Sequence, residues 1–184
     1  MILIVDMNWK KDSLGYCEFV LPIAAIAEKI SGCKIKHFLE VTSQDLNQCS
    51  NVILSGTALK DMTTLSHPEK FQWLKEIEKP VLGICAGMET TGMIFGAQLV
   101  KCLEIGMTRI ITLKENPLFS ADFNAYSLHS YCVEASDEFE VWAKSANCIQ
   151  VIKHKTKPIY GALFHPEVRN QELIKRFIEL DRKA

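Results

Sequence analysis

The segment Gly83-Ile84-Cys85-Ala86-Gly87 constrains this chain more than any other stretch. An apolar run, Pro80-Val81-Leu82, precedes it, and a helix-like segment, Met88 to Phe95, follows. Strand, tight turn with glycines flanking one cysteine, then helix is the layout of a nucleophile elbow. The sharp turn lifts the side chain to the top of a sheet, and small neighbours let the backbone fold tightly around it. The first amides of the following helix point at the sulfur and favour the thiolate, its reactive form. The chemistry this implies is covalent attack on a carbonyl carbon.

The rest of the first half supplies the sheet that such a turn needs. Met1 to Val5 is a continuous apolar run, as expected of a strand buried on both faces. Tyr16 to Ile30 reads as an amphipathic helix with Pro22 its weak point and Gly32 its stop. Lys34 to Leu39 alternates like a more exposed strand, and Asn51 to Leu54 is a second buried one, ending in Ser55-Gly56. Pro68 to Glu78 reads as a helix, Val81 to Ile84 as a strand and Ala86 to Phe95 as a helix. Strand alternating with helix implies an α/β fold: a doubly wound, mainly parallel sheet with flanking helices. Sites in such sheets lie beyond the carboxyl ends of the strands, where Ser55-Gly56 and Cys85 both fall.

The second half changes character. Gln98 to Leu113, Ala125 to Glu134, Glu140 to Ser145 and Cys148 to Lys153 read as an additional antiparallel β element. Ile159 to Phe164 is apolar enough to return to the central sheet, and Asn170 to Lys183 reads as a terminal helix. No repeat or linker interrupts residues 1–184, so a single domain is expected.

Charge and cysteine usage exclude several classes. Twenty-one basic and 22 acidic residues leave a net charge of −1 with no basic stripe, which argues against nucleic acid as a partner. No apolar stretch is long enough to span a bilayer, and Met1-Ile2-Leu3-Ile4-Val5-Asp6 lacks the basic start of a signal peptide. Seven cysteines with no C-x-x-C pair read as reduced, mostly buried thiols of a cytoplasmic protein. The ligand spacing of a zinc site is absent, so neither a metal nor another cofactor is expected.

A cysteine nucleophile needs a base. Of five histidines, His165 stands out, in Phe164-His165-Pro166-Glu167-Val168 after an apolar strand. Glu167, two residues on, is placed to hydrogen-bond the imidazole, fix its tautomer and stabilise its cation. Cys85, His165 and Glu167 then make a complete triad. His37, His67 and His154 read as surface or loop residues, and His129 as structural or partner-facing.

These motifs resemble the class I (triad-type) glutamine amidotransferases. The matching pieces are Leu54-Ser55-Gly56, Pro80 to Met88, Asn116-Pro117-Leu118-Phe119, Leu128-His129-Ser130-Tyr131 and Phe164 to Val168. The resemblance implies that Cys85 attacks the side-chain amide of glutamine to form a glutamyl thioester. His165 would carry the proton to the leaving ammonia, and Glu167 would orient His165. It places the oxyanion on the backbone N–H groups of Thr57 and Ala86, and the substrate near Gly56, Glu89, Ser130 and Tyr131. It also implies a partner, a separate synthase subunit that accepts the ammonia. Glutaminase subunits of the GMP synthase type are similar in size and in their His-Pro-Glu-Val ending.

The chain departs from the family pattern at two places in the site. Thr57 stands where the family has glycine, and a β-branched residue is badly suited to a positive φ. Glu89 stands where the family has glutamine, and a carboxylate there raises the pKa of a nearby thiol. Two other readings therefore stay open: a stand-alone γ-glutamyl-type hydrolase of the same fold, and a non-catalytic binding relative.

Overall fold

The computed structural model describes residues 1–134 and 136–180. Its parallel strands are β1 (Ile2–Asp6), β2 (Cys33–His37), β3 (Asn51–Leu54) and β4 (Val81–Ile84). They are followed by β5 (Gln98–Thr112), β6 (Phe123–Glu134), β7 (Phe139–Lys144), β8 (Ile149–His154) and β9 (Ile159–Ala162). Among the described residues these form one nine-stranded sheet in the order β2-β1-β3-β4-β9-β8-β7-β5-β6. From β2 to β9 every pairing is parallel, and from β9 onward every pairing is antiparallel. The antiparallel element is thus a continuation of the parallel core, joined through β8 and β9.

The parallel strands are buried on both faces, which is why they are continuous apolar runs. Ile2, Ile4, Ile53, Leu82 and Ile84 point to one side, where helices α1 (Leu21–Glu28) and α4 (Gln171–Glu179) pack. Leu3, Val5, Val52, Leu54 and Val81 point to the other, against Phe38, Phe71, Leu74 and Ile94. Ile94 belongs to α3 (Ala86–Ile94), the helix that follows the cysteine turn. This two-sided covering is the doubly wound arrangement expected from the alternation of elements.

Several local features differ from expectation, each for a physical reason. The first helix opens with a π-helical turn, Tyr16–Val20, and becomes α-helical at Leu21. Pro22 therefore occupies the start of a helix, where its missing N–H costs nothing. Pro68–Lys75 is wound as a 3-10 helix rather than an α-helix. A helix not expected from the sequence, α2 (Ser43–Gln48), starts in a capping box. Thr42 Oγ1 accepts from the Asp45 N–H (3.2 Å), and the Asp45 carboxylate accepts from the Thr42 N–H (3.0 Å). Residues 181–183 of the expected terminal helix lie outside the described residues.

The histidines read as surface residues divide. His67 is half-buried, but His37 and His154 are buried. His37 closes β2 with its Nε2 2.8 Å from the Asn8 carbonyl, and His154 closes β8 with its ring between Phe95 and Phe139. All seven cysteines are free: Cys49, Cys85 and Cys132 are buried, Cys33, Cys102 and Cys148 half-buried, and Cys17 exposed. No helix among the described residues is long and apolar enough to cross a membrane.

Candidate active site

Three adjacent strands deliver the candidate residues to one edge of the sheet. β3 leads into Ser55-Gly56-Thr57, β4 into Cys85, and β9 through Leu163 and Phe164 into His165. The parallel register aligns Leu54 with Gly83 and Gly83 with Gly161, so the three chain ends leave the sheet side by side. Residues distant in sequence meet here because β9 inserts next to β4.

Cys85 sits at the turn with φ +48° and ψ −106°. That is a strained conformation for a residue with a Cβ, of the kind concentrated at functional sites. The flanking glycines are required by contact. A Cβ on Gly83 would lie 2.5 Å from the Gly87 carbonyl, and one on Gly87 would lie 2.6 Å from the Leu54 carbonyl oxygen. The Cys85 N–H is taken by the Ala162 carbonyl (2.8 Å), which ties the turn to β9. Ala86 begins α3, whose first-turn amides lack acceptors within the helix, and Cys85 stands at its N-cap with no side-chain cap hydrogen bond.

His165 and Glu167 are fully buried, with Nδ1–H of the imidazole donating to Glu167 Oε1 at 2.8 Å. That bond leaves Nε2 as the free ring nitrogen, and it has no hydrogen-bond partner among the described residues. The Phe19 ring lies 5.1 Å from the imidazole, and the His165 N–H donates to the Tyr126 carbonyl at 2.8 Å. Gly56 fills the remaining side: a Cβ there would lie 2.5 Å from His165 Cε1 and 3.5 Å from the Cys85 Cβ. The ring is therefore held in one orientation beside the cysteine.

The electrostatics of this cluster pull in opposite directions. Burial pushes the Cys85 thiol above its ordinary value, His165 draws it back toward the thiolate, and Glu89 and Glu167 add to the rise. Burial lowers the His165 imidazole, yet Cys85 and Glu167 outweigh it and hold it well above its usual value. Cys85 and His165 thus favour each other's charged forms against the cost of burial. Burial lifts the Glu89 carboxyl to about 7, with His165 opposing. Glu89 is buried in the first turn of α3 and lines the cleft beside Cys85.

Other expected residues fall around this core. Thr57 and Ser130 line the same narrow cleft, while Tyr131 faces an adjoining groove. Thr57 does not adopt a positive φ, so its β-branch is accommodated. Its hydroxyl instead donates to the Asp61 carbonyl at 3.3 Å and braces its own loop. Ser130 Oγ donates to the Leu59 carbonyl at 3.2 Å and pins that loop across the cleft. The opening that remains is about 10 Å³, room for roughly one water. His129 borders the cleft as well, but its ring nitrogens are engaged by the Cys102 carbonyl (3.1 Å) and Glu104 (3.2 Å).

Two participants were not visible in the sequence. The Cys85 thiol donates to the Leu128 carbonyl at 3.6 Å, and a backbone acceptor leaves no mark on residue type. The loop Ala58 to Met62 forms the roof, and its Asp61 accepts from the Trp9 N–H at 2.7 Å. Its position just after β3, at the carboxyl edge, was the available signal.

The family model for class-I glutamine amidotransferase matches residues 23–182. Among curated proteins, the chain is 38% identical over 112 residues to a glutamine-hydrolyzing GMP synthase subunit of Methanocaldococcus jannaschii. That match covers 55% of this chain and 60% of the relative, so it spans less than two thirds of the relative's length. The corresponding subunit of Methanococcus maripaludis is 36% identical over 133 residues, 68% of each chain. A solved structure from Thermoplasma acidophilum, described as a GMP synthase subunit, superposes with TM-score 0.84 over 100% of this chain and 94% of that one, at 24% identity. A glutamine amidotransferase from Thermotoga maritima gives TM-score 0.70 at 21% identity, covering 99% and 82%. At those identities the two structures establish the shared fold.

Proposed function

The chain belongs to the class I glutamine amidotransferases, a family of glutamine-hydrolysing enzymes, and we propose that it splits glutamine with Cys85, His165 and Glu167 and delivers the ammonia to a separate synthase subunit. One observation carries the reading. A strained cysteine turn stands beside a buried imidazole that is oriented by a carboxylate and has its second nitrogen free.

The steps follow from those positions. Cys85 passes its proton to Nε2 of His165, and the sulfur attacks the side-chain carboxamide carbon of glutamine. The oxyanion that forms is met by backbone N–H groups of Ala86 and Thr57; one such donor is worth about 2.7–4 kcal/mol in related acyl chemistry. His165 returns the proton to the nitrogen as the C–N bond breaks. Ammonia leaves, and a glutamyl thioester remains. His165 then takes a proton from water, whose oxygen attacks the thioester and releases glutamate and the free thiol. Glu167 holds the imidazole and stabilises its charged form at both stages.

Delivery to a partner is supported by the closed cleft. With room for roughly one water, the resting site does not admit glutamine until the Ala58–Met62 roof moves. An apolar strip beside that roof suits a docked synthase. Leu103, Ile105 and Met107 on β5 are 65%, 61% and 53% exposed. The relatives named as GMP synthase subunits favour a GMP-synthase-type acceptor. A stand-alone hydrolase acting on bulky γ-glutamyl amides fits the narrow cleft less well.

The experiment is turnover of glutamine in the presence of candidate synthase subunits. Cys85→Ser and His165→Ala are each expected to abolish it. An electrophilic glutamine analogue is expected to label Cys85 alone, with free glutamine protecting. Near-wild-type turnover in either variant, or labelling that glutamine does not block in the complex, would refute the mechanism.

A further inference from the structure

We propose that Cys102, Cys132 and Cys148 form a binding site for a thiophilic metal ion, Zn²⁺ or Cu⁺, held by their three sulfurs. These residues come from β5, β6 and the turn between β7 and β8, and their sulfurs all lie within 4.8 Å of one another. None belongs to the site described above. Soft thiolate sets select zinc and monovalent copper over hard ions.

The fold takes specific steps to bring them together. In the β5–β6 ladder, Lys101 pairs with Tyr131 and Glu104 with His129, so Cys102 and Leu103 together oppose the single residue Ser130. Val100 pairs with Cys132, and alternation along β5 turns Cys102 to the same face as Val100, so these two thiols share one face of the ladder just ahead of the bulge. Cys148 is brought in by its turn, where the Ser145 N–H donates to the Cys148 carbonyl at 2.9 Å. The Ser145 hydroxyl in turn donates to Glu104 at 2.8 Å. Local C-x-x-C spacing is absent because the sheet supplies the proximity across strands.

The neighbouring carboxylate holds the turn in place and also accepts from the Cys148 thiol at 3.8 Å, a contact that the ion would replace. Glu104, His129 and Cys148 also lie within ligand reach of one another. The oxygens of Glu104, however, already accept from Ser145, Asn147, Gln150 and His129, at 2.8, 2.8, 2.7 and 3.2 Å. His129 in turn contacts the Cys102 carbonyl at 3.1 Å. This network fixes the backbone and turn that carry two of the three sulfurs, as outer partners do around metal ligands.

The dimensions fit with little movement. With Zn–S bonds near 2.3 Å, tetrahedral ligand sulfurs stand about 3.8 Å apart, so a contraction of about 1 Å or less closes the triangle. Each thiol releases its proton to solvent as its sulfur–metal bond forms. Cys102 is half-buried and lines the groove formed with Leu59, Met62, Leu103 and Tyr131, which provides the entry path and a fourth position for water on zinc. Ser130 borders both this groove and the cleft over Cys85, so the ion would sit beside the wall of the proposed active site.

The test is titration of reduced, full-length protein with Co²⁺ as a spectroscopic probe for Zn²⁺, and with Cu⁺ against a chromogenic chelator. One equivalent is expected to bind, with thiolate-to-cobalt charge-transfer absorption that Zn²⁺ abolishes by displacement. Cys102→Ser, Cys132→Ala and Cys148→Ser are each expected to weaken binding by more than about tenfold. Cys17→Ser and Cys85→Ser are expected to leave it unchanged. A measurement without variants is alkylation mapped by mass spectrometry, in which metal should protect Cys102 and Cys148 but not Cys17. Retention of either ion at these cysteines supports the site and identifies its occupant. Retention of neither, or binding that disappears only in Cys85→Ser, overturns it.

Discussion

Replacing Glu89 by glutamine should stabilise the protein in neutral and alkaline solution and leave it unchanged in acid. The Glu89 carboxyl is buried, and burial lifts its pKa from 4.5 to about 7. Below about pH 4.5 the side chain is neutral in both the folded and the unfolded chain, and no difference arises. Between 4.5 and about 7 the unfolded chain ionises while the folded one resists, so stability falls as pH rises. Above about 7 both forms are ionised and the full cost persists. At about 1.4 kcal/mol per pKa unit, that cost is about 3 kcal/mol. Glu89→Gln is neutral at every pH and escapes it. Urea unfolding of both proteins from about pH 4 to about pH 8.5 measures the difference, and for a chain of this size about 3 kcal/mol corresponds to a rise of roughly 6–12 °C in Tm. The same substitution removes one of the charges that raise the Cys85 thiol, so alkylation of Cys85 should proceed faster at a given pH. Stability curves that run parallel across the pH range would refute the reasoning, because they would mean that Glu89 ionises in the folded protein as freely as in water.

Gly56→Ala should lower kcat by about a hundredfold while the protein still folds, since a Cβ 2.5 Å from Cε1 of His165 displaces the ring by a fraction of its size. Steady-state glutaminase kinetics with the synthase partner present, alongside a thermal melt, checks both halves of that statement. Thr42→Ala should cost about 1 kcal/mol by opening the capping box of α2, read as a lower urea midpoint at unchanged slope. Cys85→Ser and His165→Ala should each eliminate turnover while changing the unfolding free energy, read from urea melts, by no more than about 3 kcal/mol.

The parts of the fold legible in the sequence were those whose environment is uniform. β1, β3 and β4 are flanked by protein on both faces, and their unbroken apolar runs say so. The cysteine turn was legible because its glycines are demanded by backbone contacts at 2.5–2.6 Å, which leave no freedom in residue type. What stayed hidden was set by partners far along the chain. α2 is short and has only Leu46 to bury against the core, so it shows no apolar period, and only Thr42 and Asp45 mark its start. The 3-10 winding of Pro68–Lys75 is a choice between hydrogen-bond steps that the apolar pattern does not distinguish. His37 and His154 look polar in isolation, and their burial depends on Asn8, Phe95 and Phe139. The closure of the cleft depends on the carbonyls of Leu59 and Leu128, and main-chain atoms carry no sequence signal.

The insertion of β9 beside β4 has a consequence for the chain as it is made. Cys85 leaves the ribosome 80 residues ahead of His165. At about 5–20 residues per second, that is an interval of roughly 4–16 s. During it, the cysteine has neither the strand that holds its turn in shape nor the imidazole that draws off its proton. It is an ordinary thiol in an unfinished sheet. The proposed triad can close only once β9 has been made and has taken its place, so the cysteine stays chemically quiet until that strand arrives.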